Sequence, residues 1–246
     1  MTEVRRTNKS ERLAARDLTA VTKWREWING RIRDDVLRLH QQRIVWDGMQ
    51  QVIRHNADLP RVSVLWEYLF DTYTAAQAAA VRRLTETEDT QVQSLGQLLH
   101  QIGAGDQRTV TREWWMSGWP TNWNEEAEGL RLFESVAGAG AAEFPAQKAR
   151  DDLQRLRATA TKVKDFVDRY LAHMDKRGLD VAHLPKVGEL HDAIDLIRDL
   201  YASYSLLLTT TPDARRELDL PLENWRDPLK LPWIPRAGSP HSDAQT

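Results

Sequence analysis

The chain has 246 residues, a formal net charge of -2 and a pI near 6.4. That length suffices to bury a core without covalent staples, and the near-neutral balance excludes a protein that is basic overall, as a general nucleic-acid coat would be. It has no cysteine, which excludes disulfides, thiol nucleophiles and Cys-ligated metal centres and fits the reducing cytoplasm in which the protein is expected.

The N-terminus, MTEVRRTNKSERL, has no apolar core of a secretory leader. No apolar run approaches the ~20 residues needed to span a bilayer, so no membrane partner is expected. The ten tryptophans are costly to expose, and most are expected in the core or at docking surfaces.

Apolar residues Trp24, Ile28, Ile32, Leu39, Trp46, Met49 and Ile53 predict a first helix over about 17–55, read through Gly30. Asn56 to Pro60 ends it. A second helix, rich in alanine and aromatics, covers about 62–85, and a third covers 91–102, closed by Gly103 and Gly105. The stretch 108–123 is less regular and holds Trp114, Trp115, Trp119 and Trp123. These rings are either a stacking platform for bases or sugars, or a plug for the end of a bundle, and the plug is favoured. A short helix over 125–136 follows.

Pro145 suits the first turn of a fifth helix that runs to about His173. The last helix begins near Val187 and keeps Leu190, Ile194, Ile197, Tyr201, Tyr204 and Leu208 on one face. No strand pattern is present, so the expected fold is all-α, a bundle of five to six helices. The expected organisation is a helical domain over 1–212 and an extended tail over 213–246, which holds Trp225 and Trp233 and is disordered at its end.

Projected at 100° per residue, the fifth helix carries Arg155, Lys162, Arg169, His173 and Lys176 on a face apart from its apolar stripe. This basic ridge ending in a histidine is either a phosphate-tracking surface with a titratable group or a solvated outer face. Asp165, Asp168 and Asp175 surround His173. They either tune the imidazole or, the favoured reading, pair with Arg169 and Lys176. His183 and His191, with Asp180 and Glu189, fit no zinc spacing, so no metal and no cofactor is expected.

The segment DFVDRYLAHMDK over 165–176, followed by a loop and a helix ending in DLIRDLYASY, resembles the HEPN superfamily, and most of all its abortive-infection AbiU type of bacterial defence genes. Val81-Arg-Arg-Leu-Thr-Glu86, Ser94-Leu95, Leu98-Leu99, Arg150-Asp-Asp-Leu153 and Pro232-Trp233 are similar to passages of the same family. The resemblance covers about residues 20 to 233. It implies a HEPN-like helical bundle, a homodimer, and metal-independent RNA cleavage in phage defence, with a nearby antitoxin or another protein as a further partner.

In such proteins four to six residues separate an arginine from the histidine that follows it; the histidine assists attack of a ribose 2′-hydroxyl on the adjacent phosphate, and the arginine stabilises the charge that develops. His173 takes the histidine's place here, but positions 166–168 are Phe, Val and Asp. Arg169 is the nearest guanidinium, so the resemblance assigns catalysis to His173 and Arg169, and RNA contacts to Arg155, Lys162 and Lys176. The bare spacing also occurs at Arg33…His40, Arg177…His183 and Arg236…His241, about as often as 26 arginines and seven histidines would produce it by chance. The competing expectation is a catalytically degenerate helical module for protein interaction or scaffolding, with partners using the tryptophan-rich region.

Overall fold

The computed structural model describes residues 19–55, 63–105, 110–119, 123–171, 184–218 and 225–227, with backbone alone for 123–125 and 213. Among these residues the fold is all-helical, as the sequence predicts. A single isolated antiparallel bridge, Thr111 to Glu143, is the sole β pairing among them.

The first predicted helix is two helices. Residues 19–27 form α1, a π-helical turn spans Ile28–Ile32, and α2 covers Arg33–His55. Gly30 leaves the helical region at φ -102°, ψ -112°, and the axis kinks there. Reading through Gly30 was therefore incorrect, although Trp24, Ile28, Ile32, Leu39 and Trp46 are all buried as expected.

Helix α3 covers Val64–Leu84, begun by Ser63, whose hydroxyl accepts from the Trp66 N–H. Helix α4 covers Leu95–Ala104 and starts later than 91, because Ser94 caps it by accepting from the Gln97 N–H at 2.9 Å. Before it, the Glu86 carboxylate accepts from the N–H groups of Thr87 and Glu88 at 2.9 and 2.7 Å and holds the turn. The stretch read as irregular contains α5, Arg112–Ser117, capped by Thr111. Then come α6, Trp123–Ala137, and α7, Ala146–Phe166, which runs on into a π-helical turn, Val167–Leu171. Helix α8 covers Val187–Thr209 and stops at Thr210 in the left-handed region, φ 59°. The segment assigned to the tail opens with a short helix, α9, Asp213–Leu218.

One core joins these helices. Leu98, Leu99 and Ile102 of α4 meet Leu153, Leu156, Ala160 and Val163 of α7, and Ile194, Ile197, Tyr201 and Tyr204 of α8 complete it; Ala214 and Leu218 of α9 belong to the same cluster. Helices α7 and α8 lie antiparallel, since Tyr204 near the end of α8 donates to Asp152 near the start of α7 at 3.0 Å. Trp225 rests on α2, its ring where a side chain at Gly48 would stand.

Candidate functional site

The end of α7 explains the missing arginine. Val167 is buried in the core. Phe166 is half-buried, its ring 6.0 Å from Tyr170. Asp168 accepts from Arg82 of α3 at 2.9 Å and from Lys164 at 2.8 Å. Burial alone would raise the Asp168 carboxyl, but the hydrogen bonds from Lys164 and Arg82 outweigh it and hold the group below its ordinary value. Positions 166–168 therefore serve packing and an α3–α7 anchor. The expectation that Asp168 pairs with Arg169 is corrected: its partners are Arg82 and Lys164.

The π-helical turn also alters the basic ridge. A π turn inserts an extra residue and winds less per residue than an α-helix, so Arg169, inside it, is offset from the line of Arg155 and Lys162. Arg155 is exposed and pairs at 3.3 Å with Asp152, the acceptor of Tyr204. Lys162 is exposed and pairs with Glu189, which also accepts from the Lys186 N–H at 2.8 Å and closes the first turn of α8. Exposed pairs of this kind are weak and yield to a phosphate at little cost. Arg169 is exposed and makes no ion pair among the described residues. His173 and Lys176 lie outside the described residues, as do Asp175, His183 and the spaced pairs Arg177…His183 and Arg236…His241.

The π-helical turn that follows α7 stops at Leu171 and α8 begins at Val187; residues 172–183 between them lie outside the described residues. Three elements meet beside the start of α8. Tyr73 of α3 and His191 of α8 share a hydrogen bond, Oη to Nε2, of 3.1 Å. Trp46 of α2 stacks on Tyr73 at 4.5 Å with 8° between the planes, and Phe70 leans on Trp46 at 5.9 Å. Burial, then the Arg43 charge, holds the His191 imidazole below its ordinary value, and burial pushes the Tyr73 phenol up. The bond therefore joins two neutral groups. Sequence reasoning considered His191 for metal alone and missed this cluster. Its members come from three distant segments and share no spacing.

The tryptophan cluster lies at the other end. Trp115 is fully buried, stacked on Trp119 at 5.1 Å and tilted against Phe133 at 5.6 Å. Its indole N–H donates to the Leu206 carbonyl near the end of α8 at 3.3 Å. Trp119 covers Gly129, where a side chain would meet its ring at 2.8 Å. Trp114 takes the Arg25 guanidinium over its face at 4.9 Å. Trp115 and Trp119 thus plug the bundle, the favoured reading; the Trp123 side chain is outside the described residues. Arg33 of the Arg33…His40 pair is held by Glu217 of α9, through Nε at 2.9 Å and through a second, shorter contact.

A family model described as HEPN AbiU2 matches residues 21–225. The chain belongs to the HEPN AbiU2 family. It is a HEPN-like protein of the abortive-infection type, and the match takes in α1 through Trp225, hence the whole helical body and the connection that carries His173. No curated protein and no solved structure matches the chain. Among the described residues no helix is long and apolar enough to cross a membrane.

Proposed function

We propose that this HEPN AbiU2 protein binds single-stranded RNA at the end of the bundle where α7 stops, and cleaves it without a metal ion. The observation that carries the reading is Arg169: an exposed guanidinium, without an ion pair among the described residues, in the turn just before His173. His173 takes the proton of a ribose 2′-hydroxyl, whose oxygen attacks the adjacent phosphorus. Arg169 stabilises the extra negative charge on the phosphorane. The bond to the 5′-oxygen breaks, that oxygen takes up a proton from solvent, and a 2′,3′-cyclic phosphate remains. Arg155, Lys162 and Lys176 hold flanking phosphates. The protein works as a cytoplasmic homodimer in phage defence, restrained by an antitoxin or another protein partner.

Replacing Arg155, Lys162 and Arg169 together by glutamate tests this. All three are exposed, so the fold tolerates the change. Single-stranded RNA affinity is expected to fall, and the slope of log affinity against log salt to shrink by about 2, since each single-strand phosphate contact contributes about 0.7. An unchanged slope contradicts the reading.

A second reading, a catalytically degenerate interaction module, is favoured by one observation. Val52, Val64, Leu65, Tyr68, Phe70 and Leu171 are the large apolar side chains exposed among the described residues, and Val64, Leu65, Tyr68 and Phe70 share the first two turns of α3. On that reading the salt slope is unaffected and the apolar surface meets a protein.

A further inference from the structure

Beside the start of α8 lies an open cleft of roughly 540 Å³ that the basic ridge does not use. Asp47, Gln50, Gln51 and Arg54 of α2, Phe70 of α3 and His191 of α8 line it, with Trp46 at its base. Val187, the first residue of α8, also borders it, so it adjoins the exit of the connection that carries His173.

The lining has a distinct chemistry. Phe70 is 40% exposed and presents a ring to solvent. That ring is backed by Trp46, itself stacked on Tyr73, whose hydroxyl is tied to His191. A ring supported by such a stack has little freedom to lose when a flat ligand settles on it. Two amides, Gln50 and Gln51, offer both donors and acceptors. Asp47 is held by Arg43 at 2.7 Å and remains partly exposed. Arg54 is exposed, on the last turn of α2, and makes no ion pair among the described residues.

An acyl chain or an apolar helix settling here would cover two amides and a carboxylate without satisfying them, which is costly. A neutral sugar could use the amides, the ring and the guanidinium N–H donors, but it would leave the cation without a counter-charge. One nucleotide uses all of them: stacking for the base, donors and acceptors for its edge, a cation for its phosphate.

We propose that this cleft is a nucleobase subsite: it takes one unpaired base of single-stranded RNA, stacked on Phe70, with Gln50, Gln51 and Asp47 at its polar edge and Arg54 on the neighbouring phosphate. The inference rests on the reading that RNA is the ligand. It adds that recognition involves an unstacked base beside the start of α8, so duplex RNA is a poor ligand.

The test uses the full-length protein and a short 2′-O-methyl single strand, which has no free 2′-hydroxyl to react, carrying one 2-aminopurine. Stacking quenches the fluorescence of that base. Wild-type protein quenches it. Phe70→Ala loses the quench and roughly 10-fold in affinity, while Phe70→Tyr restores both. Arg54→Gln lowers the salt slope by about one phosphate contact, near 0.7. Thermal melting confirms that each variant is folded, as the exposure of both side chains predicts. If Phe70→Ala binds and quenches like wild type, the subsite is refuted although RNA binding stands. A Phe70→Ala variant whose oligomeric state shifts while RNA binding is unchanged makes the surface a protein interface and also refutes it. If wild-type protein binds no RNA at all, the proposed function fails first and the subsite falls with it.

Discussion

Asp35, in the first turn of α2, is a carboxylate that is only 3% exposed. Arg83 of α3 grips it with two hydrogen bonds, 3.0 and 3.1 Å, and Arg31 adds a contact at 3.2 Å from the kinked segment. One buried charge thus ties the kink, α2 and α3 together. Asp35→Ala removes the tie but leaves its arginines partly exposed, so the cost is about 1–3 kcal/mol. A urea midpoint equal to that of wild type contradicts this role. His191 gives a pH dependence with a defined sign. Its folded pKa is lowered, first by burial and then by Arg43. The unfolded chain therefore binds the proton at higher pH, and stability is fully present above about pH 6.5 and declines as pH falls towards the folded value. His191→Gln is expected to flatten the stability profile measured as pH falls below about 6.5; an unaltered profile contradicts the account. Neither Asp35 nor the Tyr73–His191 pair was legible in the sequence, because their partners lie on other helices and no periodicity links them. The arginine gap at 166–168 was legible. Its cause, the anchoring of Asp168 by Arg82 and Lys164, needed the packing of α3 on α7.

At the scale of elements, the sequence revealed the helices whose apolar residues keep a constant phase. Helices α3 and α8 end within a residue or two of their predicted limits, because Pro60, Pro185 and Thr209 to Pro212 bracket them. The kink was hidden because Trp24, Ile28, Ile32 and Val36 continue an apolar face straight through Gly30. Four-residue spacings drift from an α-helical face by about 40° per step, and the π-helical turn Ile28–Ile32 takes up that drift. The close approach of α4 to the end of α3 was equally hidden. A side chain at Gly96 would meet the Thr85 carbonyl oxygen at 2.7 Å and its carbon at 2.9 Å, and backbone cannot swing aside. Gly96→Ala is expected to destabilise the protein by about 1–3 kcal/mol despite the better helix propensity of alanine. A thermal midpoint at or above wild type contradicts this packing. Gly48 makes a contrasting case, since only the ring of Trp225 stands in the way there.

The whole molecule has two unlike ends. At one, Trp115, Trp119 and Phe133 close the bundle against the last turns of α8. At the other, the cleft lined by Trp46, Phe70 and His191 opens beside the first turn of α8. The first end is closed by packing, and chemistry is proposed for the second. The family and the helical class were legible because they rest on long segments. The proposed site was legible in sequence only as Arg169 and His173, since the residues of the neighbouring cleft come from α2, α3 and α8. The most direct measurement is RNA cleavage in EDTA by purified wild-type protein and His173→Ala, reading 2′,3′-cyclic phosphate ends. The account predicts cleavage by the wild type and a loss of about 10²-fold or more in the variant. No cleavage by the folded wild-type protein, or cleavage that the substitution leaves intact, contradicts it.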